Sequence, residues 1–320
     1  MTNGTEDKLW GLIPAAGKGT RAFPYTENRH KALLDVNGVA NIERIISIMR
    51  DDLQITDIVI VIGHLGDSIR NHLGDGDRLN VRLHFIENNN LEKGLAWSIL
   101  LARQLISGFF CIMLCDESYI SSNHRLLLDF HWRDALFTCA GLRVDDVGLI
   151  QKNYAVLQQE GVLKHLIEKP VNAPNDIMGS GTFICSPAVF DWLEKAFSAT
   201  PAYVEFVSFL DLLLAAGERG YFFQLTGTYV NINDRDSLAL ARYHDRDLHF
   251  QQRRKALLVY AEGDEEGIVF TLERYHETGV FDDIIVVLPS GSLLAERISA
   301  TGATVMSCPP GCTLYGEKLL

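Results

Sequence analysis

The order in which short apolar runs and amphipathic stretches follow one another constrains this chain most. Residues 9–14, 57–62, 81–86, 109–115 and 136–144 are strand-length, mostly β-branched or aromatic, and bounded by Gly, Asn or Asp. Between them Ile42, Ile45, Ile46 and Met49 recur at helical spacing, as do Leu95, Ile99, Ala102, Leu105 and Ile106. Such alternation needs crossover connections and predicts an α/β fold, a mainly parallel mixed sheet between two helical layers. In folds of this kind ligands bind beyond the carboxyl ends of the strands.

From Leu163 the rhythm changes to a Lys/Glu/Pro/Asn stretch over 167–176, a Gly-Ser-Gly strand over 179–185, helices near 187–197 and 203–216, a strand over 221–227 and a last helix over 236–248, which ends in the polar run Gln251-Gln252-Arg253-Arg254. Two units are therefore expected, residues 1–252 and 253–320, the second reading β-α-β-α-β over 256–260, 267–277, 284–288, 293–300 and 304–306. The 320 residues carry 41 acidic and 29 basic side chains, a net charge of −12. That balance argues against a nucleic-acid polymer as partner, because such binding neutralises phosphates with Lys and Arg. No apolar run approaches the ~20 residues of a membrane helix. The polar, acidic start lacks a secretory leader, which predicts a cytoplasmic protein. Four of the six cysteines, Cys111, Cys115, Cys139 and Cys185, lie inside apolar stretches and read as reduced core thiols. Cys308-x-x-x-Cys312 offers two thiols with no nearby His, too few for zinc.

The first strand runs into Pro14-Ala15-Ala16-Gly17-Lys18-Gly19-Thr20-Arg21. Glycines there let backbone N–H groups approach a polyphosphate, with Lys18 and Arg21 supplying charge. A dinucleotide fingerprint is the competitor, since Gly17-x-Gly19-x-x-Ala22 fits its loose form. Against it, Phe23-Pro24 and the polar run to His30 keep the chain from opening directly into a helix. The next strand also ends at Gly63-His64, without an acidic partner for a ribose.

Gly17-x-Gly19-Thr20-Arg21, Pro24 and Lys31-Ala32-Leu33-Leu34-x-Val36 are followed in order by Gly94-Leu95-Ala96, Leu114-Cys115-Asp116, Glu168-Lys169-Pro170 and Gly179-Ser180-Gly181. Together they resemble the sugar-phosphate nucleotidylyltransferases over about residues 9–248. The resemblance implies a three-layer, Rossmann-like (GT-A-like) domain and a nucleoside triphosphate held by Ala15, Ala16, Gly17, Lys18, Gly19, Thr20, Gly94, Leu95 and Ala96. It places Arg21 and Lys31 on the triphosphate, and Tyr154, Glu168, Lys169 and Gly181 around a small phosphorylated acceptor. It also implies Mg2+ on Asp116. Where many members carry a second metal-binding Asp, this chain reads Tyr229-Val230-Asn231-Ile232-Asn233-Asp234. Acetylglucosamine-phosphate uridylyltransferases use an Asn near that place, so Asn231, Asn233 and Asp234 are all candidates. Ala32, Cys115 and Ala155 depart from Pro, Gly and Gly in the family pattern.

The chemistry behind those roles is simple. An attacking phosphate oxygen must meet the α-phosphorus of a triphosphate in line, so two anions must be held together and cations are indispensable. Arg21 and Lys31 suit the leaving pyrophosphate, Lys169 the attacking phosphate, and no protein nucleophile is required. Glu92-Lys93-Gly94 and the Lys31-Ala32-Leu33 start are also similar to cytidylyltransferases acting on inositol phosphate or phosphocholine, so CTP stands beside UTP and dTTP. In the tail, residues 256–266 and 281–287 resemble the start of a family 2 glycosyltransferase, but Leu288-Pro289-Ser290-Gly291-Ser292 replaces its Asp-rich turn. The tail then reads as part of a second enzyme or as a docking module, with a homo-oligomer contact as the plainer alternative. Two rival functions follow: a catalytically silent nucleotide or sugar-phosphate sensor, and a glycosyltransferase using a nucleotide sugar.

Overall fold

The computed structural model describes residues 8–19, 26–27, 29–199, 201–252, 256–260 and 265–308. The chain divides into two compact units, Met1–Asp245 and Arg246–Leu320.

In the first unit, β1 (Trp10–Ala15) is followed by a hairpin of β2 (Asp35–Val36) and β3 (Val39–Ala40). Its two-residue turn, Asn37-Gly38, takes φ of 54° and 93°, which the Asn-Gly pair favours. Then come α1 (Asn41–Ser47), β4 (Asp57–Ile62), α2 (Gly66–Leu73), β5 (Arg82–Glu87), α3 (Gly94–Leu101), β6 (Phe110–Ile112) and β7 (Glu117–Ile120). The second half supplies β8 (Phe137–Arg143), α4 (Val147–Lys152), β9 (Tyr154–Gln159), β10 (Val162–Glu168), β11 (Ile177–Cys185), α5 (Ala188–Ala199), α6 (Phe206–Ala215), β12 (Gly220–Gln224), β13 (Thr228–Asn231) and α7 (Arg235–Gln252). The division between units falls inside α7, ahead of the polar run at 251–254.

Nine strands form one sheet in the order β5-β4-β1-β6-β11-β8-β12-β10-β9. β5, β4, β1 and β6 are parallel, as is the β8–β12 pair, while β11 runs antiparallel to β6 and β8, and β10 antiparallel to β9 and β12. The antiparallel share is larger than strand-helix alternation suggests. It comes from β11, which runs against β6, β8 and β9, and from the β9–β10 hairpin, turned at Glu160 and Gly161 with φ of 51° and 78°, which carries no helix and so leaves no crossover signal. The run 109–115 is strand only over Phe110–Ile112, because the chain leaves the sheet to reach β7, which pairs separately with β13.

Side chains alternate across the sheet into two cores. Ile13, Ile58, Ile60 and Ile62 pack with Ile42, Ile45, Ile46 and Ile69 from α1 and α2, whereas Leu12, Val59 and Val61 pack with Ile99, Leu193 and Leu210 from α3, α5 and α6. Three layers result. Cys111, Cys115, Cys139 and Cys185 are buried and form no disulfide, and burial, helped by the neighbouring Asp116 carboxylate, pushes the Cys115 thiol up to about 12.

The second unit is a parallel sheet of β14 (Ala256–Tyr260), β15 (Asp283–Pro289) and β16 (Thr304–Cys308), with α8 (Glu265–Thr278) and α9 (Ala295–Ser299) between them. Val286, Leu288, Ile298 and Leu272 form its core. Cys312 lies outside the described residues. No helix among the described residues is long and apolar enough to cross a membrane.

Candidate active site

The carboxyl ends of β1, β4 and β6 lie side by side because the three strands are parallel neighbours. From β1 the chain enters the glycine loop at Ala16, which is buried, and exposes Gly17 and Lys18. The loop is tied to β4, since His64 N–H donates to the Ala16 carbonyl at 3.2 Å. A Cβ on Gly63 would stand 2.8 Å from that same oxygen, so only glycine allows this approach. On the other side His30 holds the loop. Ala32 N–H donates to His30 Nδ1 at 3.1 Å, which obliges Nε2 to carry the proton and donate to the Gly17 carbonyl at 3.0 Å. Burial lowers the His30 pKa to about 4, so the ring stays neutral. Thr26 adds a bond to the Gly19 carbonyl at 3.1 Å. Thr20 and Arg21 lie outside the described residues.

Gly19 has φ of +60° and stands against Lys31, whose Cβ would be 3.2 Å from any side chain placed there. The Lys31 ammonium makes an ion pair with Asp116 Oδ2. Asp116 follows β6, and its carbonyl accepts from Ile232 N–H at 2.7 Å, next to the ladder position where Asn231 faces Glu117. The segment 231–234 is thereby fixed beside Asp116. Asn233 Nδ2 donates to Asn231 Oδ1 at 2.6 Å. Asp234 turns away to begin α7, where it accepts from Ser237 N–H at 2.8 Å, and the Ser237 hydroxyl holds its carboxyl below the usual range. Among the described residues no three His, Cys, Asp or Glu side chains cluster as a metal site. Asp116 and the amide of Asn231 are nevertheless hard oxygen donors of the kind Mg2+ accepts when substrate phosphates complete its shell. A cation, the Lys31 ammonium, already sits on the carboxylate.

Glu117, the next residue, points into the interior and is 2 % exposed. Its carboxylate accepts from Gly181 N–H at 2.8 and 2.9 Å, from Tyr229 at 2.7 Å and from Tyr119. Burial pushes its pKa up to about 7, against the opposing pull of those hydroxyls. Behind it the donors can be assigned in order. The Ser122 hydroxyl donates to His124 Nδ1 (2.7 Å), His124 Nε2–H to Thr182 (3.3 Å), Thr182 to Tyr119 (3.0 Å) and Tyr119 to Glu117. Every member is satisfied with a neutral His124, whose pKa burial lowers to about 4.

Gly181 therefore spends its N–H on Glu117, and a Cβ there would lie 2.4 Å from Leu114. Tyr154, expected at the acceptor, is a core residue: its hydroxyl donates to the Ser180 carbonyl at 2.7 Å and its ring occupies the space a Gly179 side chain would need, 1.9 Å from the would-be Cβ. It has no open face to offer a ligand. Lys169 is exposed, pairs with Glu168 at 2.7 Å and adopts φ of +41°. Its N–H is held by the Asn153 carbonyl at 2.8 Å, and the Asn153 side chain accepts from Asn231 at 3.4 Å, so one residue joins the Lys169 turn to the Asp116 side.

Gly94 opens α3 with φ of +79° under the ring of Tyr203, 2.4 Å from where its Cβ would be; Leu95 is half-buried and Ala96 fully buried. The Tyr203 phenol interacts electrostatically with Lys169 and Glu168, which links the Gly94 turn to the same lysine. A cleft of about 580 Å³, lined by Gly63, Asn88, Asn89 and Leu91 among others, adjoins the glycine loop at Gly63. His30, Glu117, Asn153 and Tyr203 were not signalled by the sequence, because each acts through backbone groups or a packing contact that leaves no spacing pattern.

A family model described as nucleotidyl transferase matches residues 10–247. The bifunctional protein GlmU of Methanococcus aeolicus is 28% identical over 186 residues, 57% of this chain and 41% of that protein. The UTP–glucose-1-phosphate uridylyltransferase AglF of Haloferax volcanii is 26% identical over 237 residues, 71% of this chain and 94% of its own length. The chain thus spans less than half of the first of these relatives and nearly all of the second. A solved structure of a putative glucose-1-phosphate thymidylyltransferase from Bacillus anthracis superposes with a TM-score of 0.67 at 21% identity, covering 75% of this chain and 96% of that one, a likeness of fold.

Proposed function

We propose, from a chain that belongs to the nucleotidyl transferase family, that it transfers a nucleoside monophosphate from a triphosphate to a sugar 1-phosphate and releases pyrophosphate. The observation that carries this reading is the convergence of the glycine loop, Lys31 and Asp116 at the carboxyl edge of β1 and β6. It supplies backbone N–H groups, a mobile cation and a hard carboxylate at one place, which is what two phosphorylated reactants need.

In this reading the glycine loop, held by His30, receives the triphosphate, and Lys31 exchanges Asp116 for a phosphate oxygen. Lys169 orients the acceptor phosphate, one of whose oxygens attacks the α-phosphorus while the bond to the pyrophosphate oxygen breaks. Asp116, with the Asn231 amide beside it, would hold Mg2+, whose contribution when bound is to neutralise charge across the phosphate oxygens. Asn231 is favoured over Asp234 because Ser237 engages the Asp234 carboxylate. Tyr154 and Gly181 act from behind, by shaping β11 and the Glu117 network.

UTP with glucose 1-phosphate, the pair named for the Haloferax relative, is the first to test. CTP, dTTP, ATP and GTP complete the panel, with inositol phosphate and phosphocholine as other acceptors. Pyrophosphate release that requires both substrates and Mg2+ supports the reading. Nucleotide binding without turnover of any pair would replace it with the silent sensor.

A further inference from the structure

We infer that Asn41 is a positioning residue for Asp116, its side-chain amide clamping the two carbonyls that flank the proposed metal ligand; the inference rests on the nucleotidyl-transfer reading above. Asn41 is the first residue of α1 and is 1 % exposed. Its Nδ2 donates to the Cys115 carbonyl at 3.0 Å and to the Glu117 carbonyl at 2.8 Å. An amide nitrogen has two hydrogens, and both are used, one on each side of Asp116. The carbonyl of Asp116 itself points the other way, to Ile232 N–H at 2.7 Å. Three consecutive carbonyls are thus fixed from opposite edges, which holds the backbone from which the Asp116 side chain projects.

The amide orientation follows from the same geometry, since the reverse would aim an oxygen at two carbonyl oxygens. Asn41 Oδ1 is buried without a hydrogen-bond partner. An apolar residue would carry no such atom on a helix whose Ile42, Ile45 and Ile46 are fully buried. A core residue that leaves one polar atom unsatisfied while its other atom makes two bonds around the proposed ligand breaks a local rule of the kind expected at functional sites. The clamp is mounted on α1, whose Ile42, Ile45 and Ile46 pack into the same core as Ile13 and Ile60 of the sheet.

Asn41→Leu removes both donors while keeping the branch at Cγ in a bulkier, wholly apolar side chain, and Asn41→Ser keeps at most one donor in a smaller one. Mn2+ alone, titrated by electron paramagnetic resonance into the full chain, reads the metal site without turnover, with Asp116→Asn as reference. Both Asn41 variants are expected to bind Mn2+ about 10-fold more weakly, the size typical of losing a residue that orients a metal ligand, with Tm within a few degrees of the parent. The half-saturating Mg2+ in turnover should rise in parallel. Unchanged Mn2+ affinity in either folded variant, with affinity lost in Asp116→Asn, overturns the clamp and leaves Asn41 a structural residue. Full Mn2+ affinity in Asp116→Asn overturns the metal assignment and the clamp with it. A parent protein that binds Mn2+ through Asp116 and turns over no triphosphate overturns the proposed reaction, and the Mn2+ comparison still decides the clamp.

Discussion

Lys31 and Asp116, 85 positions apart in the chain, close on each other as an ion pair beside the glycine loop. Each belongs by its chemistry to a different partner, the lysine to a phosphate and the aspartate to a cation. In the proposed reaction the two would part, each taking its own substrate-borne partner, so neither charge of this part-buried pair would be left uncompensated on the protein.

Asp116→Asn should abolish Mg2+-dependent pyrophosphate release, by on the order of 10²–10³ or more. Its circular dichroism should match the parent, because the carboxylate lies outside the apolar cores. Near-parental turnover at ordinary Mg2+ removes Asp116 from the mechanism.

Lys169→Ala should raise KM for the acceptor and leave nucleotide affinity unchanged in calorimetry. The side chain is exposed and paired with the half-buried Glu168, so its loss removes a surface cation without emptying any part of the core. Weakened nucleotide binding with normal acceptor affinity would reverse the two sides of the site.

Glu117→Gln should destabilise the first unit by about 1–3 kcal/mol, because an amide nitrogen would face a donor wherever it is placed among Gly181, Tyr119 and Tyr229. Tyr229→Phe should cost about 1 kcal/mol, since Glu117 keeps its other partners. Urea unfolding of the two variants orders them; equal costs would show that the network is not fully formed.

Stability should fall as pH drops from about 6.5 towards 4. His30 and His124 are held neutral with pKa values near 4, so the unfolded chain binds those two protons first, and stability is lost over that window. Glu117 works in the opposite sense, because its folded pKa near 7 makes the folded state the better proton binder between about 7 and 4.5. Two histidines against one carboxyl leave a net slope on the order of one proton. Asp57, held well below the usual carboxylate range chiefly by Arg82, and also by Lys8 and His84, adds a further loss below about pH 4. Denaturation midpoints measured from pH 7.5 to 4 check the slope, which should steepen in Glu117→Gln.

Deleting residues from Arg254 onward should leave nucleotidyl transfer intact, because every proposed site residue precedes α7 and the second unit has its own core. Specific activity per folded molecule is the measurement. A well-folded but inactive truncation would show that the second unit completes the site.

Much of this was legible in the residues alone. The strand at 57–62 is found where its run of β-branched residues puts it, and Lys31 meets Asp116 beside the strand that ends at Asn231. Tyr154 was misread as a contact because its place next to the Lys169 turn says nothing about which face of β9 it occupies; its hydroxyl points to Ser180. Glu117 and Asn41 were invisible for a related reason. Both of Asn41's donor bonds, and Glu117's bonds to Gly181, go to backbone groups 64 to 76 positions away, and a backbone N–H or carbonyl is the same whatever residue carries it.

The ring of Tyr154 filling the space above Gly179 also bears on how such a chain can change over time. A side chain at 179 would overlap the ring outright, so no substitution there is acceptable while residue 154 remains an aromatic of that size. The reverse order is open: a smaller residue at 154 first leaves a cavity, tolerable at a cost of about 3–5 kcal/mol in a stable background, and only then can 179 grow to fill it. The two positions are bound to a one-way sequence of mutational steps. In a library that varies both at random, survivors should carry a new residue at 179 only together with a smaller one at 154.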